Sequence, residues 1–206
     1  MERNFKKALK GYQLFREKYV HGDSSVMQSL SEHGQQPKIM VVSCCDSRVD
    51  PALILQCDPG DLFVARNVAN IIPPYEHDTG HHGTSAALEF GVRVLKVKQL
   101  IVLGHSQCGG IQALLDGADS MPNDFITDWV SLVKPDGGIK HDADDYAKLA
   151  LKKSHQNCMT FPWINKRVVR QELVIHLWYF DIKSGQIFTY CQERKKYEPL
   201  DSSGTK

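Results

Sequence analysis

Two cysteines and one histidine, carried on two short segments, are the residues of this sequence best suited to hold a metal ion. Cys44 stands in Ser43-Cys44-Cys45-Asp46-Ser47-Arg48, while His105 and Cys108 stand in Gly104-His105-Ser106-Gln107-Cys108-Gly109-Gly110. Two thiolates and one imidazole suit zinc. Three protein ligands with a fourth position open is the catalytic arrangement, whereas structural sites close all four. The spacing His105-x-x-Cys108, on a turn entering a helix, lets both side chains reach one ion, and the helix N-terminus favours the thiolate form of Cys108. Gly109 and Gly110 leave backbone N–H groups open to an anion. Asp46 has two readings: it is the fourth ligand, or it stands beside a metal-bound water and accepts its proton in a hydrogen bond. Arg48 favours the second, because its guanidinium can clamp the carboxylate bidentately, keep it ionised and hold it off the metal.

Two strands must deliver these residues. Pro37 to Cys44 is a short, nearly continuous apolar run rich in β-branched residues, the pattern of a strand buried on both faces in a parallel sheet. Pro51 to Cys57 reads as a short helix broken by Asp58-Pro59-Gly60, and Leu62 to Ala65 as a second strand. Thr84 or Ser85 is placed to cap a helix running to about Lys96, which leads into the strand Gln99 to Leu103. The βαβαβ alternation implies an α/β fold: a mostly parallel central sheet flanked by helices, with right-handed crossovers. Both metal-competent segments then follow strand carboxyl ends, where open α/β sheets bind ligands.

The flanking regions are less specific. Phe5, Leu9, Tyr12, Leu14, Phe15 and Tyr19 recur at roughly helical spacing, so the N-terminus reads as an amphipathic helix packing on something. Asn123-Asp124 is expected to cap a helix from Phe125 to Val133, Pro135-Asp-Gly-Gly138 to interrupt, and Asp142 to Ser154 to form a further helix. Leu173 to Asp181 and Gln186 to Tyr190 flank Lys183-Ser184-Gly185, the signature of an antiparallel edge hairpin at the C-terminal side of the sheet.

The 206 residues, 42% of them hydrophobic, are enough for one substantial core, so residues 1–206 are expected to form a single domain, with a helical arm over 1–30 and a disordered tail over 198–206. The 25 basic and 24 acidic residues nearly cancel, which argues against nucleic acid or an anionic membrane as partner and points to small molecules or proteins. No run is long enough for a transmembrane helix, and the N-terminus mixes charge into its apolar positions instead of offering a signal-peptide core, so the expected location is cytoplasmic. The irregular spacing of the six cysteines makes a disulfide framework improbable.

Cys44-x-Asp46-x-Arg48 followed by His105-x-x-Cys108 resembles the paired signature of the β-class carbonic anhydrases. The similarity extends through Phe63-Val-Ala-Arg-Asn-Val-Ala-Asn70, Gly83-Thr-Ser-Ala-Ala-Leu-Glu89, Thr160-Phe-Pro-Trp163 and Trp178-Tyr-Phe-Asp181, from about Gln35 to Tyr190. It implies reversible hydration of carbon dioxide to bicarbonate and a proton by attack of zinc-bound hydroxide. One zinc per chain would sit on Cys44, His105 and Cys108, with Asp46 and Arg48 as the catalytic dyad. It further implies a small apolar substrate pocket at Phe63 and Val68, a backbone N–H from Gly109 to the substrate, and a substrate-binding Gln35. Wall and glutamine usually come from a neighbouring subunit, which implies a homodimer or higher even homo-oligomer. Phe90 stands where some members have tyrosine. Val41 replaces the tryptophan with which one branch builds a regulatory bicarbonate pocket, so Asp46 is expected to pair with Arg48.

Blander readings suffice elsewhere. Cys45 is expected to turn away from the metal and pack inertly, and Cys57, Cys158 and Cys191 to be packing residues. Arg66 and Asn67 read as loop anchors. His77-x-x-x-His81-His82 reads as a solvated loop before a proton relay or second metal site, and His176 as a satisfied core residue.

Overall fold

A computed structural model describes residues 2–21, 25–78, 80–117, 124–134 and 142–200. The centre is a six-stranded sheet in the order β2-β1-β3-β4-β5-β6, built from β1 (Ile39–Cys44), β2 (Leu62–Asn67), β3 (Gln99–His105), β4 (Val174–Asp181), β5 (Gln186–Cys191) and β6 (Lys196–Pro199). The first four strands of that order run parallel, and β5 and β6 add an antiparallel edge. The mostly parallel α/β fold read from the sequence is therefore the one found.

The apolar runs form strands because both faces are covered. Met40, Val41 and Val42 in β1 and Leu100, Val102 and Leu103 in β3 are wholly buried, each contributing about 1.5–3 kcal/mol of transfer free energy. Part of the cover is α7 (Ala143–Cys158), whose Ala147, Ala150, Leu151, Ser154, Asn157 and Cys158 lie buried at helical spacing. A Cβ on Gly104 would approach Leu151 to 3.0 Å, so a glycine just before His105 lets this helix lie close to β3. Asn157 donates to the Ile72 carbonyl at 2.9 Å, and Ser154 Oγ accepts from the Ile72 N–H at 3.2 Å, tying the segment after β2 to the same helix.

Side-chain caps explain three helix starts, two of them on the sheet domain. Asp50 accepts from the Ala52 and Leu53 N–H groups and precedes Pro51, starting α3 (Pro51–Leu55), and Asp142 accepts from the Asp145 N–H to start α7. Helix α4 (Gly83–Glu89) begins earlier than the expected Thr84 or Ser85 cap, and Thr84 Oγ1 instead accepts from Asn67 Nδ2 at 3.1 Å. A widened π-type turn, Phe90–Val94, follows it, where a Cβ on Gly91 would meet Met40 Sδ at 2.6 Å. Helix α6 (Ile126–Ser131) is preceded by Phe125 with no side-chain cap, so the expected Asp124 cap does not form. Asn123 and Pro135 to Gly138 lie outside the described residues. Helices α5 (Gly109–Asp116) and α8 (Pro162–Val169) complete the set on the sheet, and α8, unforeseen, has Pro162 in its first turn.

Three flanking expectations need correction. The N-terminal arm is two helices, α1 (Glu2–Tyr19) and α2 (Val26–His33), because Ser25 Oγ accepts from the Gln28 N–H and starts a second one, which runs past residue 30. The amphipathic face of α1 packs on little of this chain: Phe5 is 67% exposed and Tyr12 61%. The tail expected to be disordered from 198 begins in β6, where Tyr197 pairs with Tyr190 across the strands, their rings 5.2 Å apart. Residues 201–206 lie outside the described residues.

Candidate metal centre

Strands β1 and β3 are adjacent and parallel, so Cys44 and His105, at their carboxyl ends, arrive side by side. Cys108 closes the group from the turn before α5. The ligand atoms of Cys44, His105 and Cys108 all lie within 4.8 Å of one another, and all three residues are buried. His105 Nδ1 is 2.8 Å from the Ser106 carbonyl, to which it must donate, so Nε2 carries the lone pair. That Nε2 is buried with no hydrogen-bond partner. A buried, orphaned imidazole nitrogen facing two sulfurs fits a soft divalent cation, which would take its lone pair.

The electrostatics agree. The sulfurs of Cys44 and Cys108 are 3.9 Å apart, within hydrogen-bonding reach of each other. That contact holds the Cys44 thiol well below the usual thiol range, against the pull of burial. Cys108 is driven well above the usual thiol range by Cys44 and by burial. Burial opposes a charge on His105, but the Cys44 sulfur and the Ser106 carbonyl outweigh it and raise its proton affinity. Backbone N–H groups of Asp46 and Ala69 are directed at the Cys44 sulfur, and those of Gly110 and Ile111 at the Cys108 sulfur. These cradles favour thiolates at both positions; the one at Cys108 follows from the expected helix N-terminus, whereas the one at Cys44 was not legible from spacing. One depends on Ala69 holding a left-handed φ of 61°. The other depends on Gly110, where a Cβ would come within 2.9 Å of Ala69 Cβ.

Asp46 stands apart from the ligand cluster. Arg48 binds both its oxygens: the Arg48 N–H and Nε donate to Oδ1 at 2.9 and 3.0 Å, and Nη2 donates to Oδ2 at 2.7 Å. This clamp holds the carboxyl far below the usual carboxylate range. The geometry is that of the favoured reading, with Asp46 ionised and held by Arg48. Arg66, discounted for catalysis, is the anchor of the loop: Nε donates to the Cys44 carbonyl, Nη2 to the Asp46 carbonyl and Nη1 to Asp50 Oδ2, all within 2.9 Å. Asn67 bridges to Ile71 and Thr84 and fixes the turn Val68–Asn70, and Trp129 Nε1 donates to the Val68 carbonyl at 2.8 Å.

The residues expected to bind substrate are less gathered. Phe63 stacks on Phe90 with centroids 5.7 Å apart, and Val68 remains 37% exposed. Gly109 is exposed at the start of α5, and a Cβ there would meet nothing within 4 Å. Gln35 lies exposed in the loop before β1, and among the described residues no hydrogen bond joins it to the cluster. Cys45 is exposed, not packed, because it leaves β1 at the strand end; Cys158 is buried, and Cys57 and Cys191 are half-buried. His82 Nε2 pairs with Asp78 Oδ1 at 2.6 Å in an exposed loop, and His176 Nε2 bonds Gln99 Oε1 at 2.6 Å.

Residues 39–187 match the carbonic anhydrase family. The chain is 36% identical over 195 residues to a carbonic anhydrase of Synechocystis sp., covering 88% of this chain and 69% of that protein. It is 34% identical over 188 residues to beta carbonic anhydrase 3 of Arabidopsis thaliana, covering 85% and 72%. Among solved structures, the β-carbonic anhydrase CcaA superposes with a TM-score of 0.83 at 32% identity, over 96% of this chain and 100% of the other. A tetrameric β-carbonic anhydrase of the ascomycete Sordaria macrospora gives 0.77 at 29% identity, over 91% and 96%. Sheet order, ligand cluster and sequence agree, and the chain belongs to the β-class carbonic anhydrases.

Proposed function

We propose that this chain catalyses the reversible hydration of carbon dioxide to bicarbonate and a proton, using one zinc ion held by Cys44, His105 and Cys108. The observation that carries the assignment is the buried, unpartnered His105 Nε2 set against two sulfurs cradled by backbone N–H groups. Zinc bound there would supply Lewis acidity, bringing the pKa of water toward about 7 so that hydroxide is available near neutral pH. The chain's own residues supply the rest. Oδ1 of Asp46 already accepts two N–H bonds and Oδ2 only one, so Oδ2 is the oxygen free to accept from the attacking water and orient it. Arg48 keeps that carboxylate ionised and turned away from the ligand cluster. The Gly109 N–H, at the start of α5, is available to a substrate oxygen. Phe63 and Val68 offer apolar surface suited to a linear, uncharged molecule. The proton released is passed to buffer.

The working unit in this reading is a homodimer or a higher even homo-oligomer. The exposed apolar face of α1, the exposed Val68 and the exposed Gln35 support it, and the Sordaria macrospora relative is tetrameric. We place the enzyme in the cytoplasm, a reducing compartment suited to six free thiols of which two are metal ligands. Stopped-flow assays with carbon dioxide, carbonyl sulfide and carbon disulfide, each with and without a zinc chelator, test the substrate. Chelator-sensitive turnover of carbon dioxide far above the sulfur analogues is expected. Turnover confined to a sulfur analogue would refute the assignment.

A further inference from the structure

Helix α7 reaches the metal centre through one carboxylate. Asp144, in its first turn, accepts the Gln107 N–H on Oδ1 at 3.1 Å. The peptide that donates this N–H is the one whose carbonyl, on Ser106, is 2.8 Å from His105 Nδ1. A single peptide unit is thus held at both ends, by a carboxylate at its N–H and by the imidazole at its C=O. The next carbonyl, that of Gln107, accepts from Arg48 Nη2 at 3.1 Å. Gln107 has a left-handed φ of 55°, a conformation a non-glycine residue keeps only when its surroundings impose it. The buried Tyr179 lies close enough to Asp144 for that carboxylate, after burial, to push its phenol up, and the Lys148 ammonium sits 4.8 Å from the Tyr179 ring centroid.

We infer that Asp144 is a positioning residue for the metal centre, fixing and polarising the Ser106–Gln107 peptide so that His105 keeps Nδ1–H on the Ser106 carbonyl and Nε2 toward the cluster. The physical basis is that of a metal-ligating histidine whose other N–H meets a carboxylate, here relayed through a peptide. A negative charge at the amide N–H end of a peptide makes its carbonyl a stronger acceptor, because hydrogen bonds in a chain polarise one another. The same anchor sets the Gln107 carbonyl that steadies Arg48 and, through it, Asp46. Asp144 lies outside both motif segments, and only the fold brings it there.

The inference rests on the zinc reading above, and the test separates the two. Zinc affinity is measured by competition with a chromophoric chelator for the wild-type protein, Asp144→Ala, Asp144→Asn and Asp142→Ala, with the melting temperature of each. A wild-type protein that takes up no zinc would defeat the zinc reading itself. With zinc bound by the wild type, Asp144→Ala is expected to weaken it about 10- to 100-fold. Asp144→Asn, which keeps the shape and an acceptor but loses the charge, is expected to weaken it by a smaller factor. Asp142→Ala removes the α7 cap without touching the Gln107 peptide, and should lower the melting temperature at wild-type zinc affinity. Wild-type affinity in Asp144→Asn, the variant least able to disturb folding, would overturn the inference. So would a loss in Asp142→Ala equal to that in Asp144→Ala, since fraying of the helix would then explain both.

Discussion

The carboxyl ends of β1 and β3 and the N-terminal helix α1 are opposite cases within one chain. At the strand ends, shape is set by residues of this chain alone: Arg48 and Arg66 clamp the Asp46 loop, Asp144 holds the Gln107 peptide, and backbone N–H groups cradle both sulfurs. Along α1, Leu9 is 50% and Leu14 55% exposed, and the described ties of the helix to the sheet domain are Tyr19 and Lys18 on Asp58. An apolar stripe at helical spacing needs a cover. The described residues supply one for α7 and leave Phe5, Leu9, Tyr12 and Leu14 of α1 half or more exposed. The metal centre is therefore a property of the single chain, whereas the arm and the apolar residues Phe63 and Val68 are the surfaces that the proposed homo-oligomer would cover.

That contrast can be broken from either side. The largest effect is expected at the dyad: Asp46→Asn should keep zinc content and slow carbon dioxide hydration by about 100-fold or more, as the loss of a positioned proton acceptor does. An unchanged stopped-flow rate would remove Asp46 from the mechanism. On the other side, Phe5→Glu with Leu9→Glu should reduce the particle mass seen by light scattering while leaving zinc content intact. If the mass holds, α1 is not part of the interface.

Next in size is the close approach of α5 to the turn Val68–Asn70. Gly110→Ala sets a Cβ 2.9 Å from Ala69 Cβ, and overpacking of this kind should cost about 1–3 kcal/mol in denaturant unfolding. A variant as stable as wild type would show that the turn yields. Smaller still is an acid effect. Arg48 holds the folded Asp46 far below its unfolded value of about 3.9. The stability it contributes is therefore complete above that pH and is lost as pH falls toward the folded value. Asp46→Asn should flatten the acid limb of the stability profile; an identical limb would show that the pair contributes nothing. Smallest is a reactivity difference: exposed Cys45 should be alkylated in the native protein, while Cys158, buried and pushed up to about 12 by that burial, should react only on unfolding. Mass spectrometry of labelled peptides reads both.

Much of this was legible in the sequence because the signals were local. The nearly continuous, short and β-branched apolar runs of β1 and β3 read as buried parallel strands, and parallel neighbours bring their carboxyl ends together, which is why Cys44, His105 and Cys108 were legible as one group. Asp46 and Arg48 are two residues apart, so their clamp was legible too. What escaped was set by tertiary contact. Asp144 meets Gln107 only because α7 lies over β3, the cradle at Cys44 needs Ala69 in a left-handed turn, and Thr84 gives up its cap to bond Asn67. Strand β6 was missed because its short, charged run, Lys196–Pro199, shows no alternation strong enough to set against a disordered tail; tyrosine pairing across the edge decides it.

The proposed role of Cys44, His105 and Cys108 is to hold the zinc on which carbon dioxide hydration depends. It is tested most directly by measuring zinc content and stopped-flow hydration in the same samples of wild-type protein and Cys108→Ser. One zinc per wild-type chain with rapid hydration is expected, and loss of both together in the variant. Hydration that persists in a zinc-free variant would contradict it.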